Sequence, residues 1–151
     1  MTTTTVPKLF GLSGDAWMRH ANPASVWTRF AALPLLALSV WSRAWLGWFC
    51  LVPVGLALLW TVVNPRFFRP PRSTDNWASK AVLGERLWTE RAGRSASLNV
   101  AQGFQVAGLA VMAYGLIVFD LVAVGTGVLL AQVAKLWYLD RMALLYEAVS
   151  S

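Results

Sequence analysis

The chain has 151 residues, 57% of them apolar and only 13% charged, against a soluble norm of about 45–50% apolar and about 25% charged. A soluble domain of this size has too little interior to hide that much apolar surface, which excludes an ordinary aqueous fold. The net charge is +6, and the basic residues are unevenly placed: of the 13, only Arg43 falls in either of the two short turns that join apolar stretches.

In chain order, Met1–Val6 is polar and precedes no short apolar segment with a small-residue cleavage site, so no removable signal peptide is expected. Asn22-Pro23 opens the first helix, with asparagine as N-cap and proline at the first helical position. Residues 23–41 would rise roughly 28 Å, close to the hydrocarbon thickness of a bilayer. Arg29 near one end can snorkel to the headgroups. The purely apolar part, Phe30–Trp41, is shorter, which leaves a re-entrant first helix as an alternative. Ser42-Arg43 is read as a tight turn, and residues 44–63 form a second span without a charge. Asn64-Pro65 should end that span, because a residue before proline disfavours helix.

Residues 64–98 carry seven basic residues, three acidic ones and three prolines. Pro65–Ser73 should be extended. From Thr74 to Arg91 an interfacial helix is expected, capped by Thr74 or Asp75, with Trp77, Ala81, Gly84 and Trp88 on one face. Residues 99–139 are apolar again and would measure about 60 Å as one helix, so they must fold back, with Asp120 at the turn. Ala123, Gly127 and Ala131 form a small-residue row suited to close helix approach. The expected fold is all-α: one integral-membrane domain over 1–151, a four-helix bundle of two transmembrane hairpins with cytoplasmic interfacial segments. Its spans run about 23–41, 44–63, 99–119 and 121–139. The positive-inside rule puts residues 1–22, 64–98 and 140–151 in the cytoplasm, in a multi-pass protein of the inner membrane. The nine tryptophans then fall into two interfacial belts, Trp41, Trp45 and Trp48 outside and the rest inside, where membrane anchoring accounts for each.

Chemistry is sparser. The polar exceptions inside the spans are Gln102, Gln105, Gln132 and Lys135. The single cysteine, Cys50, excludes an intramolecular disulfide and any multi-cysteine metal site. The lone histidine, His20, cannot build a multi-histidine centre, so neither metal nor cofactor is expected. No nucleotide-binding or hydrolase fingerprint occurs, and the basic segment carries no nucleic-acid motif.

What remains is a polar collection at the cytoplasmic boundary: Asp15, Trp17, Arg19, His20, Asn22 and Arg29 from the first segment, then Arg66, Arg69, Arg72, Asp75, Asn76, Trp77, Glu85 and Arg86, then Asp140 and Arg141. Arginines that grip oxygens bidentately and tryptophans that cover the edges suit an anionic lipid headgroup. The same residues equally suit structural caps and salt bridges.

The runs RHANPASVWTR (Arg19–Arg29), NPRFFRPPRSTDNWASKAVLGERLW (Asn64–Trp88) and KLWYLDRMALLYE (Lys135–Glu147) resemble the hallmark segments of a family of small bacterial and archaeal membrane proteins without an assigned role. The resemblance covers most of the chain and implies a compact helical membrane fold, with no activity, substrate or cofactor. Three readings stay open. One is a noncatalytic protein that binds membrane lipid, or docks as an accessory subunit on a membrane complex, through its cytoplasmic face. Another is an interfacial lipid-modifying enzyme using His20 with Asp15 or Asp75. The third is a small transporter or channel, assembled as a homo-oligomer, with Gln102, Gln105 and Gln132 along a path.

Overall fold

The computed structural model describes residues 14–91 and 96–150, so the reading of Met1–Val6 lies outside the described residues. Eight α-helices follow in order: α1 Gly14–His20, α2 Pro23–Phe30, α3 Ala32–Trp41, α4 Arg43–Leu46, α5 Leu51–Phe67, α6 Trp77–Arg91, α7 Ala96–Val118 and α8 Leu121–Ser150. A 3-10 turn at Gly47–Cys50 joins α4 to α5, and no strand occurs among the described residues.

Local chemistry explains the breaks. Asn22 has extended backbone, and its side-chain oxygen accepts from the Ala24 amide at 2.9 Å, which starts α2. The same side chain donates to the Arg69 carbonyl at 2.9 Å, tying the start of α2 to the chain beyond α5. The interruption at Ala31 follows from Pro34, which has no N–H to offer the Phe30 carbonyl four residues back. Gln132 on α8 supplies the missing donor, its Nε2 lying 2.7 Å from that oxygen.

Three segments are long and apolar enough to cross a membrane: Pro23–Phe67, Ala96–Val118 and Leu121–Ser150. The first, 45 residues, would reach roughly 68 Å if straight. Instead it doubles back, with α3 packed on α5 and α2 on the end of α5. The wholly buried Asn64 fastens this return. Its amide meets the Ser25 hydroxyl at 2.5 Å and the Thr28 hydroxyl at 2.8 Å, with its oxygen also within 3.2 Å of Trp60 Nε1. Two expectations are corrected here. The reversal occupies Ser42–Cys50 rather than Ser42-Arg43, and α5 continues through Pro65 to Phe67 rather than stopping at Asn64. Burial and hydrogen bonding of Asn64 outweigh the local bias that proline imposes on it.

At the end of the molecule that holds the Ser42–Cys50 reversal, α7 stops in a Schellman arrangement: the Asp120 amide bonds the Gly115 carbonyl at 2.9 Å, and Phe119 takes a φ of 57°. A side chain in that conformation needs outside support. Phe119 has it, from Trp41 edge-on at 5.6 Å and from the Arg43 guanidinium 4.3 Å above its ring. Arg43 also donates to the Leu116 carbonyl and, at 3.1 Å, to that of Ile117, satisfying the last carbonyls of α7. Asp120 then caps α8, accepting from the Val122 and Ala123 amides at 2.9 and 3.1 Å.

The interface of α7 with α8 is the most extensive in the molecule, followed by that of α6 with α8. The small-residue row forms the first: a Cβ on Gly127 would stand 2.2 Å from the Met112 amide nitrogen, so the backbones are in direct contact. α8 is 30 residues long, about 45 Å, and outlasts α7. Its second half receives α6 instead. Ala81, Leu139 and Ala143 form a buried cluster between them, Trp77 and Tyr138 flank it, and a Cβ on Gly84 would lie 1.9 Å from the Met142 carbonyl oxygen. The face of Trp77, Ala81, Gly84 and Trp88 expected to lie on a membrane is thus covered by protein. The helix is capped by Asn76, whose oxygen accepts from Ser79 N at 2.9 Å, rather than by Thr74 or Asp75.

The tryptophans divide likewise. Trp45 and Trp48 are exposed by 67% and 85%, as belt residues should be. Trp60 stacks on Phe67 at 5.8 Å and Trp77 on Trp27 at 5.8 Å, so these rings also make contacts within the protein.

Candidate functional site

A cavity of about 310 Å³ lies at the α6 end, where α1, α2, α6, α7 and α8 converge. At about 30 Å³ per water it has room for roughly ten, or for a phosphate-sized group with a substituent. Val26, Phe30, Val82 and Leu139 give it apolar walls; His20, Arg29, Glu85, Gln102, Gln105, Lys135 and Tyr138 give it polar ones.

Arg29 is fixed first. Its Nε donates to the Ser25 carbonyl at 3.1 Å and its Nη2 to the His20 carbonyl at 2.9 Å, so it ties the end of α1 to α2. Its Nη1 meets His20 Nε2, which must therefore be the accepting nitrogen of a neutral imidazole. The ring proton is left on Nδ1, a buried atom with no protein partner. Burial, reinforced by the positive charges of Arg29 and Lys135, lowers the His20 pKa to about 3 and keeps the ring neutral. Trp17 stands edge-on to this ring at 6.0 Å.

Across the cavity, burial pushes the Glu85 carboxyl above the usual carboxylate range, while Arg29 and Lys135 pull it back without cancelling the effect. The Lys135 ammonium lies 5.5 Å above the Phe30 ring. Tyr138, one turn further along α8, is met edge-on by Trp88 at 6.4 Å. Among the described residues, Glu85, Gln102, Gln105, Lys135 and Tyr138 make no side-chain hydrogen bond or ion pair with protein. Polar groups that serve a fold are normally paired with protein or water. Five such groups line one cavity and leave each other unpaired, so their hydrogen bonds are open to water or to a ligand.

The predicted collection of polar residues does not form one site. Only His20, Arg29 and Glu85 of it line the cavity, with Trp17 behind His20. Asp15 pairs with Arg19 along α1 at 3.0 Å, and Asn22 is the cap of α2. Asp75 and Glu147 both hold Lys80 at 2.9 Å, and Trp77 Nε1 donates to Asp140 at 3.2 Å, so these residues clamp α6 to the end of α8. Asn76 caps α6, and Arg86 is half-buried on it. Arg66, Arg69, Arg72 and Arg141 are exposed away from the cavity.

Lys135, Tyr138, Gln102 and Gln105 were not among the candidate binding residues. A signal was present: Gln102 and Gln105, and Lys135 and Tyr138, are i,i+3 pairs, which share a helix face. Gln132, grouped with the other glutamines in sequence, serves the Phe30 carbonyl instead.

The outer surface completes the class. Leu35, Leu38, Leu51, Val52, Leu56, Val62, Val106, Ile117, Val122 and Leu129 are all exposed, far more large apolar side chains than a water-facing surface carries. Among the described residues this is an all-α membrane protein with three segments long and apolar enough to span and a polar-lined cavity. It belongs to DUF6653, a family of unknown function, which matches residues 2–151. No curated protein and no solved structure matches the chain.

Proposed function

We propose that this chain is a noncatalytic four-span protein of the inner membrane that binds an anionic lipid headgroup from its cytoplasmic side. Four spans follow from the doubled-back first segment together with α7 and α8. The orientation rests on the basic residues: Arg43 alone lies at the turn end, and the remainder lie outside the short turns. The observation that carries the binding reading is the cavity, whose lining sets two basic side chains, Arg29 and Lys135, against one acidic side chain, Glu85. A phosphodiester would balance that excess. The enzyme reading has less support, because Asp15 and Asp75 are engaged by Arg19 and Lys80 rather than by His20.

The test is native mass spectrometry of the protein extracted gently from its own membrane. Wild type should retain an anionic phospholipid. Lys135→Met should lose it while keeping its oligomeric state, because the Lys135 side chain makes no hydrogen bond to any of the described residues. Arg66→Gln with Arg69→Gln and Arg72→Gln should keep it. A Lys135→Met protein with the full wild-type lipid complement refutes the assignment.

A further inference from the structure

The cavity is not symmetric in its chemistry, and that asymmetry specifies more than a negative charge. Arg29 still has guanidinium N–H groups beyond those given to Ser25, His20 and the imidazole, and Lys135 has three ammonium hydrogens with no acceptor among the described residues. Tyr138 and the two glutamines can donate as well. Against these stands Glu85 on α6, the one acidic side chain in the lining and, when ionised, an acceptor-only group. Its backbone position is set by the contact of Gly84 with Met142, which holds this turn of α6 against α8. A carboxylate placed there opposes any ligand that is only an anion. It favours one that brings hydrogen-bond donors to it.

Charge decides which donors. With His20 neutral and Arg29, Lys135 and Glu85 in their charged forms, the lining sums to one net positive charge: two cations less one carboxylate. A phosphodiester monoanion with hydroxyl donors leaves the filled cavity neutral, whereas a head carrying its own ammonium would restore the excess. The volume of about 310 Å³ accommodates a phosphate with a small polyol.

We propose that the cavity selects a phosphodiester whose head is a polyol, with the phosphate between Arg29 and Lys135 and the hydroxyls on Glu85. This rests on the headgroup reading above and names its ligand class. The ligand has two sources, a phosphoglycerol-type lipid or its water-soluble deacylated form, which share this chemistry.

The test uses the full chain, delipidated in detergent, and three probes: short-chain phosphatidylglycerol, short-chain phosphatidylmethanol, and glycerophosphoglycerol. The two lipids carry the same charge and differ in the hydroxyls. Binding is followed through the protein's tryptophan fluorescence, to which Trp17 and Trp88 near the cavity contribute, and by native mass spectrometry. Wild type should bind phosphatidylglycerol at least about tenfold more tightly than phosphatidylmethanol, the effect expected of a hydrogen bond to a charged acceptor. Glu85→Met should bring that ratio to about one without weakening phosphatidylmethanol; Glu85→Gln, which keeps volume, should narrow it in a protein that folds as wild type. Equal binding of the two lipids by wild type, or a ratio that survives Glu85→Met, overturns the selectivity while leaving the headgroup reading standing. Binding of neither lipid overturns both. Glycerophosphoglycerol bound as tightly as the lipid supports the proposal with a soluble source, and loss of affinity on deacylation supports it with a membrane source.

Discussion

Pro34 and Gln132 lie on different helices, and a double-mutant cycle between them tests the account of the α2–α3 break. Gln132→Met keeps side-chain length and removes the donor to the Phe30 carbonyl, a bond of 2.7 Å. Stranding a buried carbonyl costs about 1–3 kcal/mol in general, but polar contacts between membrane helices measure about 0.6 kcal/mol on average and about 1.7 at most. A penalty of about 1–1.5 kcal/mol is therefore expected in the wild-type background. Pro34→Ala restores an N–H four residues after Phe30, so the same carbonyl acquires a donor within its own helix. In that background Gln132→Met should cost less than about 0.5 kcal/mol, a coupling near 1 kcal/mol. The assay is reversible unfolding by SDS in mixed micelles, read by far-ultraviolet circular dichroism for all four proteins of the cycle. Whatever Pro34→Ala does alone cancels in the cycle. Equal penalties for Gln132→Met in both backgrounds would refute the reasoning.

Other expectations concern the close contacts and the buried charges. Gly84→Ala should destabilise by about 2 kcal/mol despite a gain of about 1 kcal/mol in helix propensity, because its Cβ would meet the Met142 carbonyl oxygen at 1.9 Å. Gly103→Ala, which meets nothing within 4 Å, should be neutral or stabilising in the same unfolding assay, and matching signs for the two would contradict the α6–α8 geometry. Arg43→Met should destabilise by about 2 kcal/mol through the lost donors to Leu116 and Ile117, and Arg43→Lys by less; an unchanged midpoint for the methionine variant would exclude the capping role. The folded pKa of His20, about 3, lies below its ordinary 6.5, so the unfolded chain takes up the extra proton. Stability should therefore fall as pH is lowered from 6.5 toward 3, and His20→Gln should flatten that limb. Glu85 has the opposite sign: its folded pKa is raised, so its contribution is present below 4.5 and lost as pH rises through the raised value. Glu85→Gln should consequently stabilise the protein at pH 8, whereas a structural ion pair at this position would make it less stable there.

How far the sequence could be read follows from where each signal resides. Asn22-Pro23 and Asp120 were legible because a cap acts on amides two or three residues away, inside the window that a sequence presents. The partner of α6 was not legible, because a stripe of Trp77, Ala81, Gly84 and Trp88 has the same spacing whether a lipid surface or another helix covers it. Only the 1.9 Å approach at Gly84 distinguishes them. The three glutamines show the same limit inside the site. By residue type Gln102, Gln105 and Gln132 belong together, and a path lined by all three is what their sequence suggests. A proline about a hundred positions away in the chain separates them, because Pro34 leaves a carbonyl that Gln132 must satisfy, while nothing in the fold makes the same demand on Gln102 or Gln105. A polar side chain in an apolar helix is thus informative only once the backbone groups it could serve are accounted for. Here that accounting removes Gln132 from the cavity and leaves Glu85, Gln102, Gln105, Lys135 and Tyr138 as lining groups that hydrogen-bond to none of the described residues.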